Sequence, residues 1–256
     1  MKKFCIFILI LLMLSGCQSV RQTSGDNTLS NETTGWGFRR TENGPEFTEE
    51  QKNTMKKYDC MYREDTDEKT IYLTFDEGYE NGYTGIILDV LKEKGVKAAF
   101  FVTAPYVKEN PDLINRMARE GHIIGNHTVN HPSMPSVKDD EALKNELFEL
   151  DRLVYGACRQ HTRYLRPPKG EYSERTLALS KIYGYTNVFW SDAYVDWNND
   201  VSKEKAHDTV TKNFHSGEVL LLHAVSKGNA DALGDIIDTA HRQGYEFKSL
   251  DEYSFK

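Results

Sequence analysis

Ile71-Tyr72-Leu73-Thr74-Phe75-Asp76-Glu77-Gly78 is a short apolar run that ends on two adjacent carboxylates and a glycine. Its β-branched and aromatic residues predict a strand over Ile71 to Phe75. An amphipathic helix follows around Thr84 to Lys94, with Ile87, Val90 and Leu91 on one face and Gly95 as its left-handed stop. The same unit recurs along the chain. Lys97 to Thr103 leads to a helix that Asn110 and Pro111 open and Gly121 ends. His122 to Gly125 leads to a longer helix entered through Ser136 and Asp139, with Leu143, Leu147, Leu150 and Val154 as its core stripe. Tyr164-Leu165 precedes a helix that Ser173 caps and that ends near Gly184. Thr186 to Trp190 precedes helix Lys203 to Asn213, and Val219 to Leu222 precedes helix Asp231 to Arg242. A last strand lies near Tyr245 to Lys248. Alternating strands and helices imply an α/β fold with parallel strands and right-handed crossovers, so all strand C-terminal ends share one face.

The conspicuous polar residues fall at that face. Asp76 follows the first strand, His127 and His131 the third, Arg166 the fourth, Asp196 the fifth and His223 the sixth. In a barrel this is the face that carries chemistry. Two acids side by side repel, so Asp76 and Glu77 need a cation, a donor or open water. His127 and His131 have a metal-ligand spacing, but Pro132 makes their segment a loop rather than a helix. With Glu77 they would form a His, His, carboxylate site with positions left for water. Such a metal makes water more acidic and polarises a carbonyl oxygen, which is hydrolytic chemistry. Asp76 could then act as base and His223 as acid, with Arg166 and Asp196 fixing their charges. Each residue alone has a plainer alternative: a solvated turn for the acids, a surface ion pair for Arg166, a hydrogen-bonded core histidine for His223.

The chain has 256 residues, 39% of them hydrophobic, enough for a real core. A net charge of -7 and the absence of a Lys/Arg run argue against a nucleic-acid partner. Met1-Lys2-Lys3 and the apolar run Phe4 to Leu14 suit an export signal and are too short for a comfortable membrane span. Residues 17–53 are rich in Ser, Thr, Asn, Gly and Glu and read as a flexible tether to a folded domain over 54–256. Within it Gly35-Trp36-Gly37-Phe38 is an apolar island expected to pack on the outside of the domain. Cys60 and Cys158 could form a disulfide or remain thiols.

Five stretches in order carry a resemblance: Thr74 to Gly78, His127 to His131, Arg166-Pro167-Pro168-Lys169-Gly170, Asp196-Trp197 and Leu220 to His223. They resemble the motifs of the polysaccharide deacetylases, carbohydrate esterase family 4, over about 70–249. Leu14-Ser15-Gly16-Cys17 likewise resembles a bacterial lipobox. It implies cleavage after residue 16, lipidation at Cys17 and an anchor on the outer face of the cytoplasmic membrane. The family resemblance implies a distorted, incomplete (β/α) barrel and a divalent metal, zinc by expectation. By position it implies Asp76 as base, His127, His131 and Glu77 as metal ligands, Arg166 as the tether of the base, and Asp196 paired with the acid His223. The Lys169 backbone N–H takes the oxyanion position. Most of the family has Asp where this chain has Glu77, and an aromatic where it has Lys169. With Asp76 to Tyr83 these departures resemble the branch acting on N-acetylmuramic acid in peptidoglycan, on the route to the muramic δ-lactam of spore cortex. A cation at Lys169 suits the lactyl carboxylate of a peptide-free muramic residue, and Trp197, Tyr194 and Tyr79 are candidates to stack on sugar rings. The alternatives are an N-acetylglucosamine deacetylase of peptidoglycan or chitooligosaccharides, and a catalytically silent wall-binding module.

Overall fold

A computed structural model describes residues 29–42, 44–197 and 201–255. The expected signal 1–16, Cys17 and the beginning of the tether lie outside the described residues. Eight parallel strands form one sheet. Its order is Asp192–Ala193, Glu218–His223, Thr70–Glu77, Ala99–Val102, Ile123–Asn126, Tyr164–Leu165 and Thr186–Asn187, with Glu246–Phe247 beside the start of Thr70–Glu77. The two ends of that order belong to one stretch of chain, residues 186–193. Val188 N–H donates to Leu165 O at 2.8 Å and Ser191 N–H donates to Val219 O at 2.9 Å. The stretch therefore crosses from one sheet edge to the other and draws the sheet round into the distorted, incomplete barrel.

Alternate residues of a strand face opposite sides, and here the two sides have separate cores. Tyr72 packs inside the barrel with Ala99, Phe101, Tyr164, Val188 and Val219. Ile71, Leu73 and Phe75 pack outward with Phe100, Leu220 and Leu222 against helical Ile87, Leu91, Leu233 and Ile237. Burying each large aliphatic side chain stabilises the layer by roughly 1.5–3 kcal/mol. Parity then assigns Thr74 and Asp76 to the barrel side and Glu77 to the helix side.

Helix Thr84–Lys94 has the expected bounds, with Gly95 at φ 69° as its cap. Ser173 caps Glu174–Ile182 through a capping box with Thr176. Other boundaries move. The first strand runs to Glu77 because its neighbour continues, pairing Asp76 with Phe101 and Glu77 with Val102. The long helix is Asp140–Cys158, capped by Asp139 alone, since Ser136 lies in the 3-10 turn Met134–Ser136. The last helix begins at Lys227, four residues before Asp231, because Ser226 caps it through Asn229 N–H.

The tether reading fails for the described part of residues 17–53. Thr34–Gly35 pairs with Glu171–Tyr172, Arg39–Thr41 pairs with Gly44–Glu46, and Glu49–Lys57 is a helix with a Thr48/Gln51 capping box. Polar composition hid two aromatic anchors, Trp36 and Phe47, which pack in one cluster with Met55 just beyond the stretch. Trp36 is 8% exposed, stacks on Phe47 and packs against Phe189, while Met55 is fully buried. The island around Trp36 thus enters a core instead of lying on the surface. Cys60 is a buried free thiol and Cys158 a partly buried one.

Gly125 lies where a Cβ would stand 2.4 Å from Phe101 Cδ1 in the barrel interior. Gly125→Ala is expected to lose about 1–3 kcal/mol, read from the urea midpoint at unchanged slope.

Candidate active site

Register brings Asp76 and His223 together. Asp76 pairs with His223, the last residue of its own strand, and both side chains face the barrel mouth. Neighbouring strands lie about 4.8 Å apart, so an ionised carboxylate and an imidazole here flank one small space.

Arg166 is fully buried behind Asp76. Its Nη1 donates to Asp76 Oδ1 at 2.8 Å, Nη2 to Thr74 Oγ1 at 2.9 Å and Nε to Val188 O at 3.1 Å, with the Phe101 ring 4.2 Å away. Burial alone would raise the Asp76 carboxyl, but the Arg166 guanidinium, with His127 and His223, outweighs it and holds the pKa below the usual range. Asp76 is therefore a carboxylate at neutral pH.

Two left-handed residues, Thr128 at φ 67° and His131 at φ 55°, fold the loop after Asn126 back on itself. Asn126 Oδ1 accepts from Thr128 N–H, and Thr128 Oγ1 accepts from His131 N–H. The two imidazoles meet as a result, Nε2 to Nε2 at 3.1 Å, and Asp76 Oδ2 is 3.5 Å from His127 Nε2. His127 Nδ1 lies 2.7 Å from Arg166 O. A carbonyl only accepts, so neutral His127 carries its proton on Nδ1 and leaves the Nε2 lone pair toward the cleft. Burial pushes the His127 pKa down to about 4, against the pull of Asp76, and also lowers His131. Two nitrogens on a tetrahedral zinc lie about 3.3 Å apart, so the imidazole pair fits such a cation.

Glu77 does not complete that pair. It is fully buried, neither of its carboxyl oxygens has a hydrogen-bond partner, and it does not line the cleft. Strand parity turns it to the helix layer, toward Glu80. Among the described residues no three His, Cys, Asp or Glu side chains form a metal-holding group. A cation would rest on His127 and His131 alone, with Asp76 beside them, which fits weak binding.

His223 Nδ1 donates to Asp196 Oδ1 at 2.7 Å, and its main-chain N–H donates to Asp196 Oδ2 at 2.7 Å. Asn229, which sequence reasoning missed, donates from Nδ2 to Asp196 Oδ2 at 2.5 Å and to His223 O at 3.2 Å, and accepts from Tyr194 OH. Burial lowers the His223 pKa, but the Asp196 hydrogen bond and charge, with Asp76, raise it overall. His223 is thus held toward its protonated form opposite an ionised acceptor, a pair suited to taking and giving a proton across a bound group.

The cleft has a volume of about 550 Å³ and is lined by Asp76, His127, His131, Lys169, Gly170, Trp190, Ala193, Tyr194, Val195, Trp197, Leu221 and His223. Lys169 sits in a tight turn at φ 59° with its side chain exposed. Trp197 is 52% exposed and packs edge-on to His223. Tyr79, expected to stack on sugar, is 56% exposed and lies outside the lining. Trp190 takes a place in the wall that the sequence reading gave to no residue.

Residues 63–188 match the family described as polysaccharide deacetylase. Peptidoglycan-N-acetylmuramic acid deacetylase PdaA of Bacillus subtilis is 44% identical over 261 residues, covering 100% of this chain and 97% of PdaA. The chain belongs to the polysaccharide deacetylase family. The structure of PdaA, described as a family 4 carbohydrate esterase, superposes with a TM-score of 0.85 at 46% identity, covering 88% of this chain and 98% of that one. A peptidoglycan-N-acetylglucosamine deacetylase of Bacillus cereus is 32% identical, covering 77% of this chain and 72% of that protein. A family 4 pseudoenzyme of Bacillus anthracis gives a TM-score of 0.70 at 26% identity over 75% of this chain and 67% of its own. The cleft of this chain lies at the C-terminal ends of its parallel strands.

Two outcomes follow from the charges. The pKa of His223 is raised on folding, so the stability gained from its charge is full below about 6.5 and is lost as pH rises through the folded value. Asp196→Asn is expected to move the alkaline limb of kcat to lower pH. Burial, then Glu80 and Asp76, raises Glu77 well above its ordinary 4.5, so folding loses stability as pH climbs above about 4.5 toward the folded pKa. Glu77→Gln is expected to raise the urea midpoint at pH 7.

Proposed function

We propose that the protein hydrolyses the N-acetyl group of N-acetylmuramic acid in peptidoglycan glycan strands, releasing acetate and leaving the free amine. The observation that carries this is the pairing of Asp76, held ionised by Arg166, with His223, held by Asp196, on neighbouring strands in a cleft that also presents Lys169. Asp76 takes a proton from the attacking water, and Arg166 keeps it ionised and aimed. The Lys169 main-chain N–H faces the developing oxyanion, and His223 gives its proton to the departing nitrogen while Asp196 holds the ring. The Lys169 ammonium pairs with the lactyl carboxylate of a peptide-free muramic residue. Trp197 and Tyr194 offer faces to the sugar rings.

The metal of this reading is a divalent cation, zinc by its nitrogen donors, held weakly by His127 and His131. Bound there it would polarise the acetyl carbonyl and acidify a water. In this reading the deacetylated muramic residue is a precursor of the δ-lactam of spore cortex, and lipid on Cys17 anchors the protein to the outer face of the membrane. Fatty-acid labelling of the full chain in a bacterial host is expected to disappear in Cys17→Ser.

Mass spectrometry of purified glycan strands after digestion tests the substrate. Loss of one acetyl from muramic residues, with or without ring closure, is expected. Asp76→Asn should reduce it by about 10²-fold or more, and Lys169→Ala should raise KM for peptide-free strands. Acetyl loss from glucosamine alone would give the protein the other sugar. Glycan binding without acetate release, with or without Zn²⁺, would make it a silent binding module.

A further inference from the structure

The N-terminal segment, polar enough to pass for a tether, reaches the cleft itself. Strand Thr34–Gly35 pairs with Glu171–Tyr172, immediately after the turn that carries Lys169. The Trp36 main-chain N–H donates to Gly170 O at 2.8 Å, and its indole Nε1–H donates to Trp190 O at 2.8 Å. Arg40 then bonds the Asp192 carboxylate through Nη1 and the Ala193 carbonyl through Nη2. There is no slack at the crossing: a Cβ on Gly170 would stand 2.8 Å from the Trp190 ring and 3.2 Å from Trp36 Cβ. One short segment therefore grips residues 170, 190, 192 and 193. Gly170, Trp190 and Ala193 line two walls of the cleft, one bearing Lys169 and the other running on through Tyr194 and Val195 to the segment that holds Asp196, with Asp192 behind the second wall. Arg166 ties the second wall to Asp76 through Val188 O and Phe189 O; Trp36 ties the two walls to each other.

We propose that residues 34–40 act as a clamp on the active site, with Trp36 and Arg40 as positioning residues for the Lys169 turn and the Asp196 wall. The inference rests on the deacetylase reading for its effect on rate, but its geometry is independent of substrate. An indole N–H and a guanidinium fork act here as fixed spacers. When they are lost the walls keep their sequence and their fold but lose their mutual distance, and misplacement by about 1 Å can cost up to about 10²-fold in rate.

Trp36→Phe keeps an aromatic ring against Phe189 and the main-chain bond to Gly170, and removes only the indole donor. The expected result is a melting temperature within about 2 °C of the parent, kcat for acetate release down about tenfold and KM within about twofold, as for loss of one hydrogen bond felt in the transition state. Arg40→Met is expected to behave likewise, and Arg40→Lys to recover part of the loss by restoring the pair with Asp192. Hydrogen exchange supplies a readout that needs no activity. In Trp36→Phe the amides of Lys169 to Tyr172 and Tyr194 to Trp197 should exchange about tenfold faster, while those of Ile71 to Phe75 stay as in the parent. Unchanged exchange at both walls, or a uniform rise across the barrel, would overturn the clamp. If the parent itself releases no acetate, the substrate reading fails and the exchange pattern alone decides the clamp.

Discussion

A guanidinium with no exposure to water holds this molecule's chemistry in place. Taking Arg166 and Asp76 out of water costs several kcal/mol per ion, and their attraction offsets that only if every remaining donor is met. Here Thr74, Val188 and Phe189 accept from the other two nitrogens, and Thr74 in turn donates to Leu220 O at 2.7 Å. Strands from both sides of the barrel thus converge on one side chain. Removing either charge would leave the other buried and unpaired, at about 3–5 kcal/mol. The same pair keeps Asp76 ionised, so stability and the readiness of the base have a common origin. It also reaches the histidine loop, because the Arg166 carbonyl fixes the His127 tautomer.

Two adjacent carboxylates come to opposite fates through the pleat of a strand. Asp76 opens on the cleft among cations and imidazoles, and Glu77 is buried on the helix side, near Glu80, Thr84 and Tyr106. A one-methylene difference from the family's usual residue is the visible change in sequence. The larger effect is that the strand continues through Glu77, which sets the direction of the side chain before its length matters.

Much of the architecture was legible because it rests on local rules. Apolar periodicity and a glycine stop delimit Thr84–Lys94, and Ser173 announces the helix it caps. That Asp76, Arg166, Asp196, His223, His127 and His131 gather at one end of the barrel was also legible, since strand ends of a parallel fold share a face and polar residues stand out there. What stayed hidden depends on distant partners. Asn229 looks like any polar residue near a helix start until the fold brings it under Asp196, and nothing local announces Trp190 as a wall. The burial of Trp36 stayed hidden because its island lies in a polar stretch and its partners Phe47 and Phe189 are brought to it only by the fold. The orientation of Glu77 needed the end of a strand, the least local of these signals.

The stretch 186–193 serves both edges of the sheet, and this constrains length more tightly than identity. Its first residues are in register with Tyr164–Leu165 and its last with Leu220–Leu221, so the number of residues between them measures the gap between two halves of the barrel. Side chains along it can vary so long as they fill their volumes. One residue inserted or removed would shift the second register against the first, reverse the facing of Asp192 and Ala193 and carry Asp196 away from His223. Drift in this lineage should therefore be permissive of substitution and intolerant of insertion at the seam, while loops only a few residues away can lengthen freely.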